Sequence, residues 1–377
     1  MMKFLVSTIG DPESASTYSG VPYNLFSSMD QKDLIVKRIN GFDIRRCDAL
    51  SGYYDIRQSV KRRKPYRSSL WRYRYSSIEK LSARIDQKTE DVDYNVFFQI
   101  GCGGLPSKAC VKVAHIEIPL HTCIDDPIFA ASYGFDNVSS GLLKEALDGE
   151  KYFFHSCDII WTNTEWTKQQ LLIAGAPESK ILVFPPCVKS ASIPLLDRAF
   201  DVPRILFVGK DWERKGGPEV VEMFRYLRGV YPTATLDIVG CTPSVGDVSG
   251  ISIHGFLDKR NSEHSALLDR IYERVNVFLM PSSWESTGIV YFEAMQRSLP
   301  VIMIRGQGRE YLFDGIARIA ENATPHALLA EIKALFDSES EAQKLVKHAY
   351  QAVNEKFTYD VFIEILQERI LKVKDKT

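Results

Sequence analysis

Pro281-Ser282-Ser283-Trp284-Glu285-Ser286-Thr287-Gly288-Ile289-Val290-Tyr291-Phe292-Glu293-Ala294-Met295 sets two carboxylates eight positions apart around a glycine, where an apolar run gives way to a helical pattern. Ahead of it, Val275-Asn276-Val277-Phe278-Leu279-Met280 is apolar and suits a buried strand, which Pro281 and Ser282 end. A helix is expected to start near Thr287 or Gly288. The unsatisfied N–H groups of its first turn and the positive end of its dipole would form an anion site suited to a phosphate. Glu285 would lie in the loop before that site, and Glu293, about a turn and a half into the helix, would return to the same side. Such an arrangement suits a nucleotide-sugar: the diphosphate on the helix start at Thr287, Gly288 and Ile289, the ribose hydroxyls on Glu293, the transferred sugar near Glu285. It equally fits two solvated helix-end carboxylates.

A second stretch narrows the choice. Arg204-Ile205-Leu206-Phe207-Val208-Gly209-Lys210-Asp211-Trp212-Glu213-Arg214-Lys215-Gly216-Gly217 reads as a strand, a tight turn containing Gly209, and a basic loop leading into a helix over 219–227. Lys210 and Lys215, five positions apart, can converge on one anion and neutralise charge developing on a diphosphate leaving group. A solvated basic loop is the alternative. The two stretches follow one another at the separation that one Rossmann-like half requires.

With these residues in view, the chain resembles the family 4 type of retaining glycosyltransferase (glycosyl transferases group 1). The resemblance is carried by Phe207-Val208-Gly209-Lys210 through Lys215-Gly216, and by the Glu285-x7-Glu293 pair followed by Ala294-Met295. It is strong over 205–305 and weaker before. It implies an α/β, GT-B architecture: two facing Rossmann-like domains with an interdomain cleft. It also implies retention of anomeric configuration and no metal or other cofactor. The family usually has Arg where this chain has Lys210, and a bulky Phe where it has Thr287. Lysine keeps the charge but loses the planar fork, and Thr287 would leave room or a hydroxyl beside the donor sugar.

Composition agrees with a two-domain enzyme. The 377 residues exceed what one core usually serves, and 45% apolar with 25% charged residues is ordinary globular material. A formal charge of −1 argues against a general nucleic-acid binder. The seven cysteines (Cys47, Cys102, Cys110, Cys123, Cys157, Cys187, Cys241) are scattered, without a CxxC pair, which favours free thiols in a reducing compartment. The opening apolar run is too short for a signal peptide, and no segment has the apolar length of a membrane span. A cytoplasmic protein is therefore expected, and the sequons at Asn137 and Asn322 carry no weight.

Strands are expected over 3–9, 34–39, 94–100, 111–117, 159–163 and 181–184 in the first half, and over 205–208, 235–239, 251–254, 275–280 and 301–304 in the second. The Pro-, Ser- and Asp-containing stretch 185–203 reads as a linker. The expected division is an acceptor domain over 1–188, a donor domain over 200–356, and a terminal helix in 357–377 that, by resemblance, crosses back to the first domain.

In the first half, the small-residue loop 10–22 precedes a helix, and in the family a comparable Ser-Gly loop lies near the donor phosphates, which makes Ser19 and Gly20 candidates. By the same resemblance, His121 or Asp126, after the strand at 111–117, would hydrogen-bond the donor sugar; a structural histidine and a capping aspartate are the alternatives. Thr162-Asn163-Thr164-Glu165-Trp166 matches the family's Ser-Glu-Trp and reads as helix capping.

The run from Arg57 to Tyr75 packs Arg62, Arg63, Lys64, Arg67, Arg72 and Arg74 among Tyr66, Trp71 and Tyr73. It suits an anionic membrane surface, a lipid-diphosphate acceptor or single-stranded nucleic acid, or else a solvated face. Asp91-Val92-Asp93 and Gly101-Cys102-Gly103-Gly104 are declined as metal and dinucleotide motifs, since neither has the context those motifs need. The expected function is therefore metal-independent transfer of a sugar from a nucleotide-diphosphate donor to a hydroxyl of a glycan or lipid-linked acceptor. A nucleotide-sugar epimerase and a non-catalytic binding scaffold are the rivals.

Overall fold

The computed structural model describes residues 1–14, 17–40, 57, 59–60, 70–127, 130, 135, 138–185, 187–189 and 193–375. Arg62, Arg63, Lys64, Tyr66 and Arg67 of the basic run lie outside these residues, as do Cys47 and Asn137. The chain divides into two compact units: unit 1, Met1–Pro185 with Phe362–Thr377, and unit 2, Pro186–Val361. Among the described residues no helix is long and apolar enough to cross a membrane.

Unit 1 is built on six parallel strands: β1 (Phe4–Thr8), β2 (Ile35–Asn40), β3 (Val96–Ile100), β4 (Val111–His115), β5 (Ile159–Thr162) and β6 (Ile181–Val183). Their order is β2-β1-β3-β4-β5-β6. β1 and β3 are buried along their whole length, as expected of inner strands of a parallel sheet, whereas the edge strand β2 exposes Val36 and Lys37. The terminal segment joins this unit through Phe362, whose ring lies 4.0 Å from that of Trp161 and 5.5 Å from that of Phe184.

Unit 2 repeats the plan with β7 (Arg204–Val208), β8 (Thr235–Val239), β9 (Ile251–Gly255), β10 (Val277–Leu279), β11 (Val301–Ile304) and β12 (Arg318–Ala320), in the order β12-β11-β10-β7-β8-β9. This is the doubly wound order, in which strand succession reverses between β7 and β10. The helix Gly217–Val230 buries Val220, Val221, Met223, Phe224 and Leu227, an i, i+3, i+4, i+7 stripe that faces the core. Both sheets are α/β and parallel, the expected fold class.

Three expectations change. The apolar run 275–280 forms only a short strand, β10; just before it Asn276 donates its backbone N–H to Arg204 O, while its side chain donates to Ala199 O and Val202 O and accepts from Arg204 N. β12 had no signal, being three residues beginning with an arginine. The presumed linker is partly a strap on unit 2. Arg198, only 5% exposed, donates to the carbonyls of Glu273, Val275, Arg297 and Ser298, and Leu196 N donates to Ser298 Oγ. An arginine's five donors serve there as a backbone bracket.

Candidate functional site

In open parallel sheets, ligands bind outside the carboxyl ends of the strands, at the point where strand order reverses. In unit 2 the pairing of Phe278 with Leu206 sets the ends of β7 and β10 side by side. The loops that leave them, 209–216 and 280–288, carry both sequence motifs. They are stitched together residue by residue. Arg214 O accepts from Ser283 N (2.9 Å), Ser282 Oγ (3.1 Å) and Ser283 Oγ (3.1 Å), and the Arg214 guanidinium donates to Trp284 O (2.6 Å) and Asp211 Oδ2 (2.9 Å).

Glycines permit this closeness. Gly216 has φ +79, and a Cβ on it would lie 2.5 Å from Pro281 O. Gly209 leaves room for Lys215, whose Cγ would be 3.0 Å from an added Cβ. Gly288 caps the helix Ile289–Gln296 at φ 75, and a Cβ there would meet the Tyr291 ring at 2.6 Å and Glu285 Cγ at 3.2 Å.

The outcome is one cluster. Lys215 Nζ is hydrogen-bonded to Glu285 Oε2, with Arg214 NH1 3.6 Å from the same oxygen, and both the Lys215 and Glu285 side chains are 13% exposed. Beside them stand Gly209, Gly288 and the first-turn amides from Ile289 onward, while Ser286 and Thr287 are buried. Mostly buried cations next to helix-start donors form an environment for a multiply charged anion.

Two expected members are directed elsewhere. Lys210 is exposed and rests its ammonium 4.6 Å from the centre of the Phe256 ring, a cation–π contact, instead of converging with Lys215. Glu293 pairs with Lys259 at 2.5 Å. Phe256 and Lys259 both lie on the segment between β9 and the helix Ser262–Arg274. That segment, unremarked in the sequence, therefore holds both side chains.

Below the loops, Arg309 is fully buried, donating to Ser282 O (3.1 Å) and Gly306 O (3.0 Å), while Gln307 Oε1 accepts from Glu285 N at 3.4 Å. Arg214, Gln307 and Arg309 thus support the site without having been nominated. A fully buried arginine has no sequence signature that separates it from a surface one.

In unit 1, Ser19 and Gly20 close a 3-10 turn, Thr17–Gly20, after β1, and Gly20 (φ 85) caps the helix Val21–Asp30. His121 lies in the helix Leu120–Asp125, its Nε2 3.2 Å from Gln170 Oε1 and 3.2 Å from Thr122 Oγ1, which ties it to the helix Glu165–Ile173. Asp126 is the C-cap of the His121 helix, and its carbonyl accepts from Ala130 N at 2.8 Å. The imidazole at the strand end is another one, His115. It stacks on Trp161 at 3.9 Å, sits 3.1 Å from Asn163 Oδ1, and is held neutral by burial, which pushes it down to about 4. Thr164 caps Glu165–Ile173 with Thr167 as its capping-box partner, as expected of that motif.

Residues 202–338 match the family described as glycosyl transferases group 1. No curated protein matches the chain in sequence. Among solved structures, it is similar to the sucrose-phosphate synthase of Thermosynechococcus elongatus, with TM-score 0.69, 13% identity and 100% of each chain covered. It is similar to a glycosyltransferase of Rickettsia africae, with TM-score 0.66, 14% identity and 100% of each chain covered. HepE of Anabaena, in complex with UDP and glucose, gives TM-score 0.62 and 12% identity, covering 98% of this chain and 100% of that one. At these identities the likeness establishes the fold, that of GT-B glycosyltransferases.

Proposed function

We propose that the protein is a glycosyltransferase that moves a sugar from a nucleotide-diphosphate donor to a hydroxyl of a glycan or lipid-linked acceptor, with retention and without a metal. The observation that carries this reading is the cluster of Lys215, Arg214 and Glu285 against the Gly288 helix start, at the strand-order reversal of unit 2. The match of 202–338 to glycosyl transferases group 1 covers that cluster, and HepE of Anabaena, which shares the fold, is described with UDP and glucose.

In this scheme Lys215 and Arg214, with the amides at Gly288 and Ile289, take up the charge on the departing diphosphate. Lys210 would join them by leaving Phe256. Glu285 presents Oε1 to the sugar hydroxyls, since both cations sit on Oε2. Glu293 exchanges Lys259 for the ribose. The acceptor attacks on the face that the diphosphate leaves, and a phosphate oxygen takes its proton, so no protein base is required. Ser19, Gly20, His121 and Asp126 keep the supporting donor roles that the resemblance implies.

The test is incubation with a panel of nucleotide-diphosphate sugars and acceptors in excess chelator, with product configuration read by NMR. Transfer with an α-linked donor giving an α-linked product is expected. Donor turnover without any acceptor would point to an epimerase, nucleotide binding without turnover to a scaffold, and strict dependence on added metal would contradict the scheme.

Glu293→Ala should raise the donor KM about tenfold with kcat nearly unchanged, the signature of lost uniform binding. Lys259→Ala, which frees Glu293, should leave KM equal or lower. An unchanged KM in Glu293→Ala would remove that residue from the donor site.

A further inference from the structure

Unit 1 has its own strand-order reversal, between β1 and β3, and near it stands an arginine with which no carboxylate among the described residues pairs. Arg72 belongs to the 3-10 turn Leu70–Tyr73. Its NH2 donates to Tyr73 Oη at 2.7 Å, its NH1 lies 3.4 Å from Tyr18 Oη, and its Nε is buried with no partner. No carboxylate pairs with it among the described residues. The neighbouring Arg74, by contrast, is matched to Glu145 at 3.0 Å.

The surroundings withhold negative charge. Burial pushes Glu150 up to about 8, against the Leu120 amide and Arg72, which pull it down, and so favours its neutral form. Burial likewise raises Tyr73, Cys102 and Cys123, keeping all three neutral. A guanidinium stays charged throughout. Arg72 is only partly covered but its Nε is buried, and a cation so placed, with no carboxylate partner among the described residues, is suited to receive an anion from a ligand.

The walls are built for close approach. Tyr18 has φ 45, a left-handed conformation uncommon outside glycine, and its hydroxyl would lie 2.4 Å from a Cβ on Gly101, the residue just after β3. Across the turn, a Cβ on Gly149 would strike Tyr73 O at 1.9 Å, so the helix Ser140–Ser156 presses directly on the backbone that carries Arg72. The arginine is only partly covered and remains reachable by solutes.

We propose that Arg72, with Tyr18, forms a binding site in unit 1 for one small oxyanion group, a phosphate monoester or a carboxylate borne by a ligand, at the carboxyl ends of β1 and β3. The site uses no residue of unit 2. If the proposed transferase activity holds, it selects a ligand that carries negative charge over a neutral sugar.

The experiment is thermal stabilisation and calorimetric titration of the full chain with inorganic phosphate, a hexose 6-phosphate, a hexuronate and a neutral hexose. Wild type should show saturable stabilisation by phosphate, since a ligand of the native state raises its melting temperature. The better of the two charged sugars identifies the group as phosphate or carboxylate. Arg72→Met should weaken binding at least tenfold and Arg72→Lys should restore part of it, which a purely structural role would not give. Nucleoside-diphosphate binding retained in Arg72→Met reports that the variant is folded. Lys215→Ala should keep the phosphate binding that Arg72→Met loses. Equal binding by wild type and Arg72→Met, preference for the neutral hexose, or loss of phosphate binding in Lys215→Ala would overturn the proposal. The last of these would place the ion at the donor cluster.

Discussion

Lys215→Ala should lower kcat by about 10²- to 10³-fold with little change in donor KM, the loss typical of removing one preorganised group that meets charge developing in the transition state. Lys215 is suited to that role by its confinement. Its stem lies against Gly209, its ammonium is fixed on Glu285, and its side chain is 13% exposed, so little reorganisation is needed when a diphosphate arrives. Arg214 shares the charge but cannot replace Lys215, because its guanidinium also serves Asp211 and the Trp284 carbonyl and stands 3.6 Å from Glu285. One complication has a direct control. Removing Lys215 leaves the mostly buried Glu285 carboxylate with a weaker partner, and a stray charge could itself depress the rate. Lys215→Ala combined with Glu285→Gln removes that charge. If kcat stays low in a double variant that melts normally, the lysine acts on the leaving group; near-wild-type turnover in folded Lys215→Ala would exclude it from the mechanism.

What the sequence discloses and what it conceals follow from the range of the forces involved. Strand positions are local. The apolar runs at Ile205–Phe207 and Val301–Ile304 could be read because inner parallel strands are buried on both faces. The helix start at Gly288 could be read as well, since a glycine between a strand and an apolar helical pattern marks a change of backbone conformation. Side-chain destinations are not local. Lys210 and Lys215 share one loop and one chemistry, yet one settles on Phe256 and the other on Glu285, both brought near by the sheet and not by spacing along the chain. Arg198, in a stretch whose prolines and serines suggest a linker, found four carbonyls that only the folded unit brings together. Arg72 and Arg74 look alike in a basic run, and the difference between them lies in a helix some seventy residues on, which offers Glu145 to Arg74 and places near Arg72 only Glu150, whose carboxyl burial pushes up.

Gly216→Ala should cost unit 2 about 2–5 kcal/mol and should also impair activity in the fraction that remains folded. Two terms make up that range. A residue with a Cβ loses about 1–2 kcal/mol on entering the left-handed region, where Gly216 sits at φ +79. Forcing extra atoms into a filled site adds about 1–3 kcal/mol. The second term is not easily relieved here, because the nearest atom is the Pro281 carbonyl oxygen at 2.5 Å and backbone cannot rotate away as a flexible side chain can. Relief therefore requires the 281–288 loop to withdraw, which would draw Glu285 from Lys215 and lengthen the bonds that Ser282 and Ser283 make to Arg214 O. Gly229→Ala supplies the counter-case. That glycine lies in the helix Gly217–Val230 with nothing within 4 Å of an added Cβ, so alanine should stabilise by about 0.5–1 kcal/mol through helix propensity. Urea denaturation followed by circular dichroism measures both, and kcat/KM at 25 °C measures the coupling. If Gly216→Ala unfolds at the same urea concentration as wild type, the close approach of the two loops does not hold the cluster together. If it is destabilised but fully active per folded molecule, the Lys215–Glu285 geometry is not what the reaction requires.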